Sequence, residues 1–253
     1  MLRDIRADQA YFDAIVERLA VFVESDEEEL TLPVDQWRAP KSLAMAAGNV
    51  VKVRWNRFSA LYSQGASTQA LRDEYEDVLV AAERAVLLER QYFPPELVEL
   101  QFRNPRIKDY YREWLLLVSL AITFQVDDAT FDRVVAAVEF GRGDHLIDCL
   151  IATRRPDHPI GADLQFPRIV GPLESAFDSA DPAKLIARYL SKWYTAWKGI
   201  RGWGTHEHVP QYLYYGYWAF EVLGVVTALG VDDASFRDNE YYPRDLLADE
   251  RAG

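Results

Sequence analysis

Apolar residues recur at helical spacing along nearly every long segment of this 253-residue chain. The first such segment runs from Ile5 to Val23, and others begin after Pro40, near Ser67 and after Asn104. Because this spacing gathers the apolar side chains on one face of a helix, each segment can pack onto a core. No stretch alternates apolar and polar residues for long enough to predict a sheet. The pattern therefore predicts an all-α, bundle-like protein.

Residues that favour helix ends support this division. Asn104-Pro105 and Asp181-Pro182 each combine a capping residue with proline at the first helical position, where the missing N–H costs nothing. Ser67 is a further candidate cap, and Gly65 is predicted to end the helix that follows Pro40.

An acidic run follows the first helical segment, with five carboxylates in six positions. Its members are Glu24, Asp26, Glu27, Glu28 and Glu29. Because carboxylates oppose the helix dipole at a C-terminus, the run is predicted to lie in the following loop, which Pro33 closes.

Glycines divide the chain into two predicted parts. Gly141-Arg142-Gly143 is the candidate boundary, so we expect helical domains at residues 1–141 and 144–247. Val126–Phe131 and Val231–Phe236 are hexamers that differ only by Thr for Ser. In both, we expect an Asp to cap the start of a helix while Val and Phe point inward. A reused helix corner explains this repeat, and an ancient duplication is the alternative.

The charge balance restricts the possible partners. Forty acidic and 28 basic residues give a net charge of −12. This charge repels nucleic acid and anionic membranes and favours a basic partner, although it could also serve solubility alone. Cys149 is the one cysteine, and residues 1–10 precede no apolar stretch, so we expect a cytoplasmic protein without an internal disulfide.

Residue patterns that would indicate metal or cofactor chemistry are incomplete. His206 and His208 lack a third ligand at a defined spacing, and Cys149 has no recognisable histidine partner. We therefore expect no metal and no cofactor. The basic residues are too diluted by acid to predict a nucleic-acid surface. These basic residues are Arg154, Arg155, Lys192, Lys198 and Arg201.

The last fifth of the chain carries an unusual motif. A nearly charge-free helix is predicted from Tyr212 to Leu229, with the single carboxylate Glu221 after the run Tyr215-Gly216-Tyr217-Trp218. The tyrosines and Glu221 argue against a membrane span. An acidic turn follows, and then Tyr241-Tyr242-Pro243 and Asp245.

This order closely resembles the C-terminal domain of the PoNi family, immunity proteins that neutralise PoNe-type DNase toxins. The resemblance covers roughly Asp144 to Leu246 and is extended by Phe166-Pro167, Leu173, Trp193-Tyr194 and His206. It implies two helical immunity domains and no enzymatic activity. The residues to which it gives a structural role are Trp193, Tyr194, Tyr215, Gly216, Tyr217, Trp218, Glu221, Tyr241, Tyr242, Pro243 and Asp245.

The resemblance also implies a partner, a cognate DNase toxin domain delivered by a type VI or related secretion system during bacterial competition. The toxin core is expected to be of the PD-(D/E)xK kind with its own metal ion. Because a DNase carries a positive cleft for DNA, an inhibitor can occlude that cleft stoichiometrically with carboxylates. The candidate contacts are Glu24, Asp26, Glu27, Glu28, Glu29, Asp232, Asp233, Asp238 and Glu240.

Glu221 leaves a second function open. A carboxylate on an apolar helix must be paired, hydrogen-bonded or protonated, so Glu221 is either a structural acceptor in the core or a catalytic group. The alternative protein is a helical enzyme or small-ligand-binding protein that uses Glu221 and His206 in an aromatic pocket. The residues expected to line that pocket are Trp193, Trp197, Tyr214 and Trp218. A structural adaptor with an unrelated partner is a third possibility.

Overall fold

The computed structural model describes residues 2–94, 107–138, 143–205 and 214–247. Within these ranges the regular structure consists of nine α-helices and one short 3-10 helix, without a β-strand. The all-α prediction is therefore confirmed. None of the helices in the described ranges is both long and apolar enough to cross a membrane.

The chain forms two compact units that alternate along the sequence. The first unit comprises residues 1–102 and 201–217, and the second comprises residues 103–200 and 218–253. The glycine boundary at residues 141–143 falls within the sequence of the second unit. The compact units thus differ from the family domains predicted at 1–141 and 144–247, a division that stays a prediction.

The first unit contains three long helices. These are α1 (Gln9–Glu29), α2 (Pro40–Gln64) and α3 (Thr68–Tyr92), with the 3-10 helix Val34–Gln36 between α1 and α2. Helix α2 packs against both α1 and α3. Gly65 ends α2 in the left-handed conformation with φ of 92°, and the Ser67 hydroxyl accepts a hydrogen bond from the Ala70 amide at 3.2 Å. The predicted ends at Pro40, Gly65 and Ser67 are confirmed.

The acidic run lies in the last turns of α1, so its predicted placement in a loop is wrong. Two arginines compensate the helix C-terminus. Arg84 donates to the Leu30 carbonyl oxygen at 2.7 Å, and both Arg84 and Arg54 pair with Glu27. Cations at this end offset the dipole and the carboxylates together, so the helix continues through the run to Glu29.

The predicted helix Tyr212–Leu229 is wrong over residues 214–219, and residues 212 and 213 lie outside the described ranges. Residues 214–219 are not helical, and the helix itself spans only Phe220–Leu229. Gly216 has a φ of 74°, and a Cβ at this position would lie 2.7 Å from the Ser59 Cβ. A left-handed backbone pressed against α2 cannot continue a helix, so the aromatic segment packs as irregular chain.

The second unit contains six shorter helices. They are α4 (Lys108–Thr123), α5 (Asp128–Ala137), α6 (His145–Ala152), α7 (Pro167–Glu174), α8 (Pro182–Ala196) and α9 (Phe220–Leu229). Helices α4 and α9 pack closely because Gly224 has no side chain, and a Cβ there would lie 2.5 Å from the Ser119 Cα. Helix α7 packs against α8. The Asp181 cap of α8 is confirmed at 3.2 Å to the Lys184 amide, whereas Asn104-Pro105 lies outside the described residues.

The two hexamers do not share one geometry. Asp127 caps α5 as predicted, with its carboxylate 2.7 Å from the Thr130 amide. Asp232 bonds the Ala234 amide at 3.1 Å within a turn, so the predicted helix start is wrong there. Asp233 is buried instead and pairs with Arg237 at 3.0 Å. This ion pair stabilises a turn, and without a common geometry the repeat gives no support to duplication.

Candidate functional site

The acidic end of α1 presents three of its five predicted carboxylates to solvent. Asp26 accepts a hydrogen bond from Asn49 at 3.0 Å, and Glu27 contacts Arg54 at 3.3 Å and Arg84 at 3.2 Å. These two acids therefore help to hold α1 in place. The exposed carboxylates, which contact no partner among the described residues, are Glu24, Glu28 and Glu29.

Two exposed apolar side chains lie on α3 near Arg84, the arginine that reaches this acidic helix end. Val80 and Leu87 are 50% and 64% exposed, and they share a face of α3 with Arg84 because they lie four residues before it and three after it. Arg84 in turn reaches Glu27 of α1. We call the exposed carboxylates Glu24, Glu28 and Glu29, together with Val80 and Leu87, the α1–α3 patch.

The second predicted acidic group is largely engaged within its own turn. Asp233 is 3% exposed and binds Arg237 at 3.0 Å and the Tyr242 hydroxyl at 3.2 Å. Asp238 is exposed and pairs with Arg244 at 2.7 Å. Asp232 bonds the backbone of the turn, and Glu240 is exposed. This group belongs to the second unit, whereas the α1–α3 patch belongs to the first.

Glu221 is a hydrogen-bond acceptor in the core of the second unit. Its side chain is fully buried, and Oε1 accepts from the Tyr189 hydroxyl at 2.6 Å and from Trp193 Nε1 at 2.5 Å. The Tyr189 oxygen also accepts from Trp197 Nε1 at 2.9 Å. Burial, followed by the Glu221 carboxylate, raises the pKa of Tyr189 well above its ordinary value, so the phenol stays protonated and donates.

The C-terminal part of the motif packs around this acceptor. Tyr241 lies 5.2 Å from the Trp193 ring and stacks on Tyr194 at 6.0 Å, and its carbonyl oxygen accepts from the Ala219 amide at 2.8 Å. Tyr242 is 2% exposed. The buried or half-buried members Trp218, Pro243 and Asp245 belong to the same unit.

The aromatic-Gly-aromatic part of the motif builds the core of the first unit instead. The Tyr214 hydroxyl donates to Asp4 at 2.6 Å and lies 2.7 Å from the Ser63 oxygen. The Tyr217 hydroxyl donates to the Gly202 carbonyl oxygen at 2.8 Å. The half-buried Tyr215 belongs to the same unit. The motif therefore contributes packing and hydrogen bonds to both units.

Among the described residues, Glu221 is fully buried and does not line an open aromatic pocket of the kind that the alternative function requires. Trp193 and Trp197 are 3% and 0% exposed and act as core side chains and hydrogen-bond donors. Tyr214 is engaged by Asp4 in the other unit, and His206 lies outside the described residues. A fully buried carboxylate that already accepts two buried donors leaves no room for a substrate.

A pair of buried aspartates at the start of α6 was not among the predicted site residues. Asp144 caps the Ile147 amide at 3.2 Å and also accepts from the Gln165 amide at 2.8 Å and the Tyr111 hydroxyl at 3.1 Å. Burial outweighs these bonds and raises the pKa of Asp144. From the sequence alone, Asp144 was given no role beyond the start of the family resemblance.

Asp148, the second of the pair, holds an irregular loop against α6. Its Oδ2 accepts the Gly143 and Gly161 amides, each at 2.9 Å, and its Oδ1 lies 2.8 Å from His158 Nε2. His158 and Asp148 are ten residues apart across a proline-containing loop, a spacing that carries no sequence signal. Both aspartates serve to order the chain.

Cys149 has a histidine neighbour that the sequence analysis did not recognise. His145 lies one helical turn earlier, with Nδ1 3.8 Å from the Cys149 sulfur and 3.1 Å from Glu174 Oε1. Burial, followed by Glu174, raises the pKa of the Cys149 thiol to about 11, which disfavours the thiolate. In the described ranges no group of three or more His, Cys, Asp or Glu side chains is placed to hold a metal ion. His206 and His208 lie outside those ranges.

Residues 142–246 match the family described as PoNe immunity proteins (PoNi), C-terminal, a family of immunity proteins rather than enzymes. The match confirms the family resemblance seen in the motif.

The fold also has a counterpart among solved structures. It is similar to the crystal structure of protein PA2201 from Pseudomonas aeruginosa, with a TM-score of 0.69 and 20% sequence identity. The similarity covers 96% of this chain and 87% of that chain, and it shows a shared fold alone. No curated protein matches the chain.

Proposed function

We propose that this protein binds a cognate PoNe-type DNase toxin and neutralises it stoichiometrically by occluding the basic surface that holds DNA. The match of residues 142–246 to the immunity family supports the partner class. The α1–α3 patch is the observation that carries the mechanism, since it combines exposed apolar side chains with carboxylates that contact no partner in the described part of the chain. The inhibitor supplies no chemistry, metal or cofactor, and it does not bind nucleic acid.

The two kinds of side chain in the patch have different roles. Glu24, Glu28 and Glu29 attract a positively charged cleft over several ångströms and so raise the association rate. Val80 and Leu87 lose water against the partner and slow its dissociation.

The C-terminal acidic turn contributes less to this interface. Asp233 and Asp238 are already paired with arginines, so a partner would have to replace existing contacts. We therefore rank the exposed carboxylates of α1 above all four acids of the turn, and we rank Asp26 and Glu27 as supports of α1 rather than contacts.

The nature of the partner determines where the two proteins meet. The toxin arrives through a type VI or related secretion system during bacterial competition, and the immunity protein meets it in the cytoplasm. A single cysteine is consistent with that reducing compartment.

A charge-reversal experiment tests the acidic part of the patch. Glu24, Glu28 and Glu29 are changed together to lysine, and stopped-flow mixing with the cognate toxin domain measures association. Each exposed charge contributes about 1 kcal/mol or less, so the triple change should slow association about tenfold or more at low salt. Thermal stability should be unchanged because the three carboxylates contact no described partner.

The matched control reverses three exposed aspartates of the second unit, Asp157, Asp163 and Asp178. It alters net charge equally but should slow association less. Equal slowing by both triple variants would show that net charge matters rather than the patch. No binding by the wild-type protein would end the proposed function itself.

The apolar part of the patch has its own test. Leu87→Ser should increase the dissociation rate and leave the association rate nearly unchanged, because a short-range contact is lost and no charge is altered. Ile160→Ser is the control, since Ile160 is 51% exposed in the other unit. An unchanged residence time for Leu87→Ser would remove α3 from the interface.

A further inference from the structure

Helix α8 carries a cationic stripe in an otherwise acidic protein. Lys184, Arg188 and Lys192 follow one another at intervals of four residues, so they lie on one face, and all three are exposed. The helix contains no aspartate or glutamate. Since like charges at this spacing repel one another, the stripe weakens the helix slightly and needs another explanation.

The stripe borders a groove between α7 and α8. The groove has a volume of about 360 Å³, and Arg188 and Lys192 line it together with the exposed Arg168 of α7. Its apolar lining includes Ile169 and the ring of Tyr189, both nearly buried. Cations at the rim and an apolar floor describe a site that can take charged and apolar groups together.

These cations differ from the arginines elsewhere in the same unit. Arg154 and Arg155 form ion pairs of 2.7 to 3.0 Å with Asp128 and Asp132. The side chains of Arg168, Arg188 and Lys192 contact no acidic partner among the described residues. With 40 acidic residues in the chain, a local cluster without carboxylates leaves its positive charge available to a ligand.

We infer that this α7–α8 groove binds a short acidic segment of a partner protein, with carboxylates on the rim cations and an apolar side chain on the floor. The inference rests on the proposed function only in naming the toxin as the protein that carries this segment. The inhibitor then uses two surfaces of opposite charge, an acidic patch in one unit and a cationic groove in the other.

A protein segment fits this groove better than a nucleic acid does. A polyanion accumulates repulsion from the net charge of −12 along its whole length, whereas a short peptide with a few carboxylates does not. The apolar floor also has nothing to contact on a phosphate backbone, but it suits a leucine or isoleucine side chain.

The groove can be tested with the full chain and synthetic probes. A labelled peptide Glu-Leu-Glu-Glu-Leu-Glu is titrated with the wild-type protein, and its lysine counterpart Lys-Leu-Lys-Lys-Leu-Lys, inorganic phosphate and a thymidine oligonucleotide are tested alongside. We expect saturable binding of the acidic peptide only. Arg188→Gln combined with Lys192→Gln should weaken it about tenfold, since each exposed ion pair contributes up to a few-fold.

Arg38→Gln combined with Lys41→Gln is the matched control, because it removes two exposed cations from the other unit and should leave peptide affinity unchanged. Equal weakening by both pairs, tighter binding of the oligonucleotide, or no peptide binding at millimolar concentration would each overturn the inference. The peptide assay contains no toxin, so its failure is distinguishable from failure of toxin binding. If both assays succeed, the Arg188/Lys192 pair should also weaken the toxin complex.

Discussion

Removing the carboxylate of Glu221 should destabilise the second unit strongly. The side chain is 0% exposed, and its Oε1 accepts from Tyr189 and Trp193 at 2.6 and 2.5 Å. In Glu221→Ala both donors remain buried without this acceptor, which costs about 1–3 kcal/mol each. Loss of one buried methylene adds about 0.8 kcal/mol. The wild-type protein buries a carboxyl group whose Oε2 has no described hydrogen-bond partner, and the substitution removes that cost. We therefore expect the free energy of unfolding to fall by about 3–5 kcal/mol in total.

Glu221→Gln separates the acceptor from the charge. The amide oxygen can still accept from Tyr189 and Trp193, while the amide nitrogen takes the position of Oε2 without a described partner. We expect a loss of about 1 kcal/mol, clearly smaller than that of Glu221→Ala. Both variants should protect against toxin in proportion to their folded fraction, because the group is structural.

Urea unfolding followed by tryptophan fluorescence measures these losses, and hydrogen exchange of the α9 amides localises them to the second unit. Tyr189→Phe completes a double-mutant cycle with Glu221→Ala, for which we expect a coupling energy of about 1–2 kcal/mol. A loss below 1 kcal/mol for Glu221→Ala, or additivity in the cycle, would refute the acceptor role. A folded Glu221→Gln protein that binds toxin but does not protect would refute the structural assignment altogether.

Three further changes test other parts of the fold. Gly216→Ala should lower the free energy of unfolding more than Gly230→Ala. Both glycines have positive φ, but of these two positions only at Gly216 would an added Cβ meet another atom within 4 Å. Equal losses would contradict the close approach of Gly216 to Ser59. Burial raises the folded-state pKa of Asp144, so its stabilising contribution is complete below the unfolded pKa of about 3.9 and is lost as pH rises through the folded value. As pH rises from the unfolded to the folded pKa of Asp144, the free energy of unfolding of the wild-type protein should therefore fall relative to that of Asp144→Asn. Urea unfolding at a series of pH values measures both. A difference between the two proteins that stays constant with pH would argue against the raised pKa. With a thiol pKa of about 11, Cys149 should react with a disulfide reagent at pH 8 about a hundredfold more slowly than an ordinary thiol, and reaction at the ordinary rate would show an accessible thiolate.

The sequence predicted the helices and several of their ends correctly, because these depend on local physics. Proline at the start of α2, the Ser67 cap and glycine at the end of α2 act within a few residues of their own position. Apolar periodicity likewise needs only the helix itself. Such features can be predicted without knowing the neighbours.

Errors arose where distant side chains decide the outcome. The acidic end of α1 is helical because Arg54 and Arg84, 27 and 57 residues from Glu27, reach it. The segment before α9 is irregular because Gly216 must pass close to Ser59 of α2. The Asp148–His158 contact and the cationic groove also join residues from separate elements, so no local sequence pattern predicts either of them.

The family motif and the residues available to a partner lie in different environments, the first in the core and the second on the surface. Glu221, Trp193 and Tyr242 are at most 3% exposed, so they cannot form a binding surface without unfolding. Residues that can contact a partner, such as Glu28 and Leu87, lie outside the matched segment 142–246 and follow no motif. The motif can therefore specify a fold without specifying the partner. Exchanging the exposed residues of the α1–α3 patch between two such proteins should transfer toxin preference more effectively than exchanging the motif.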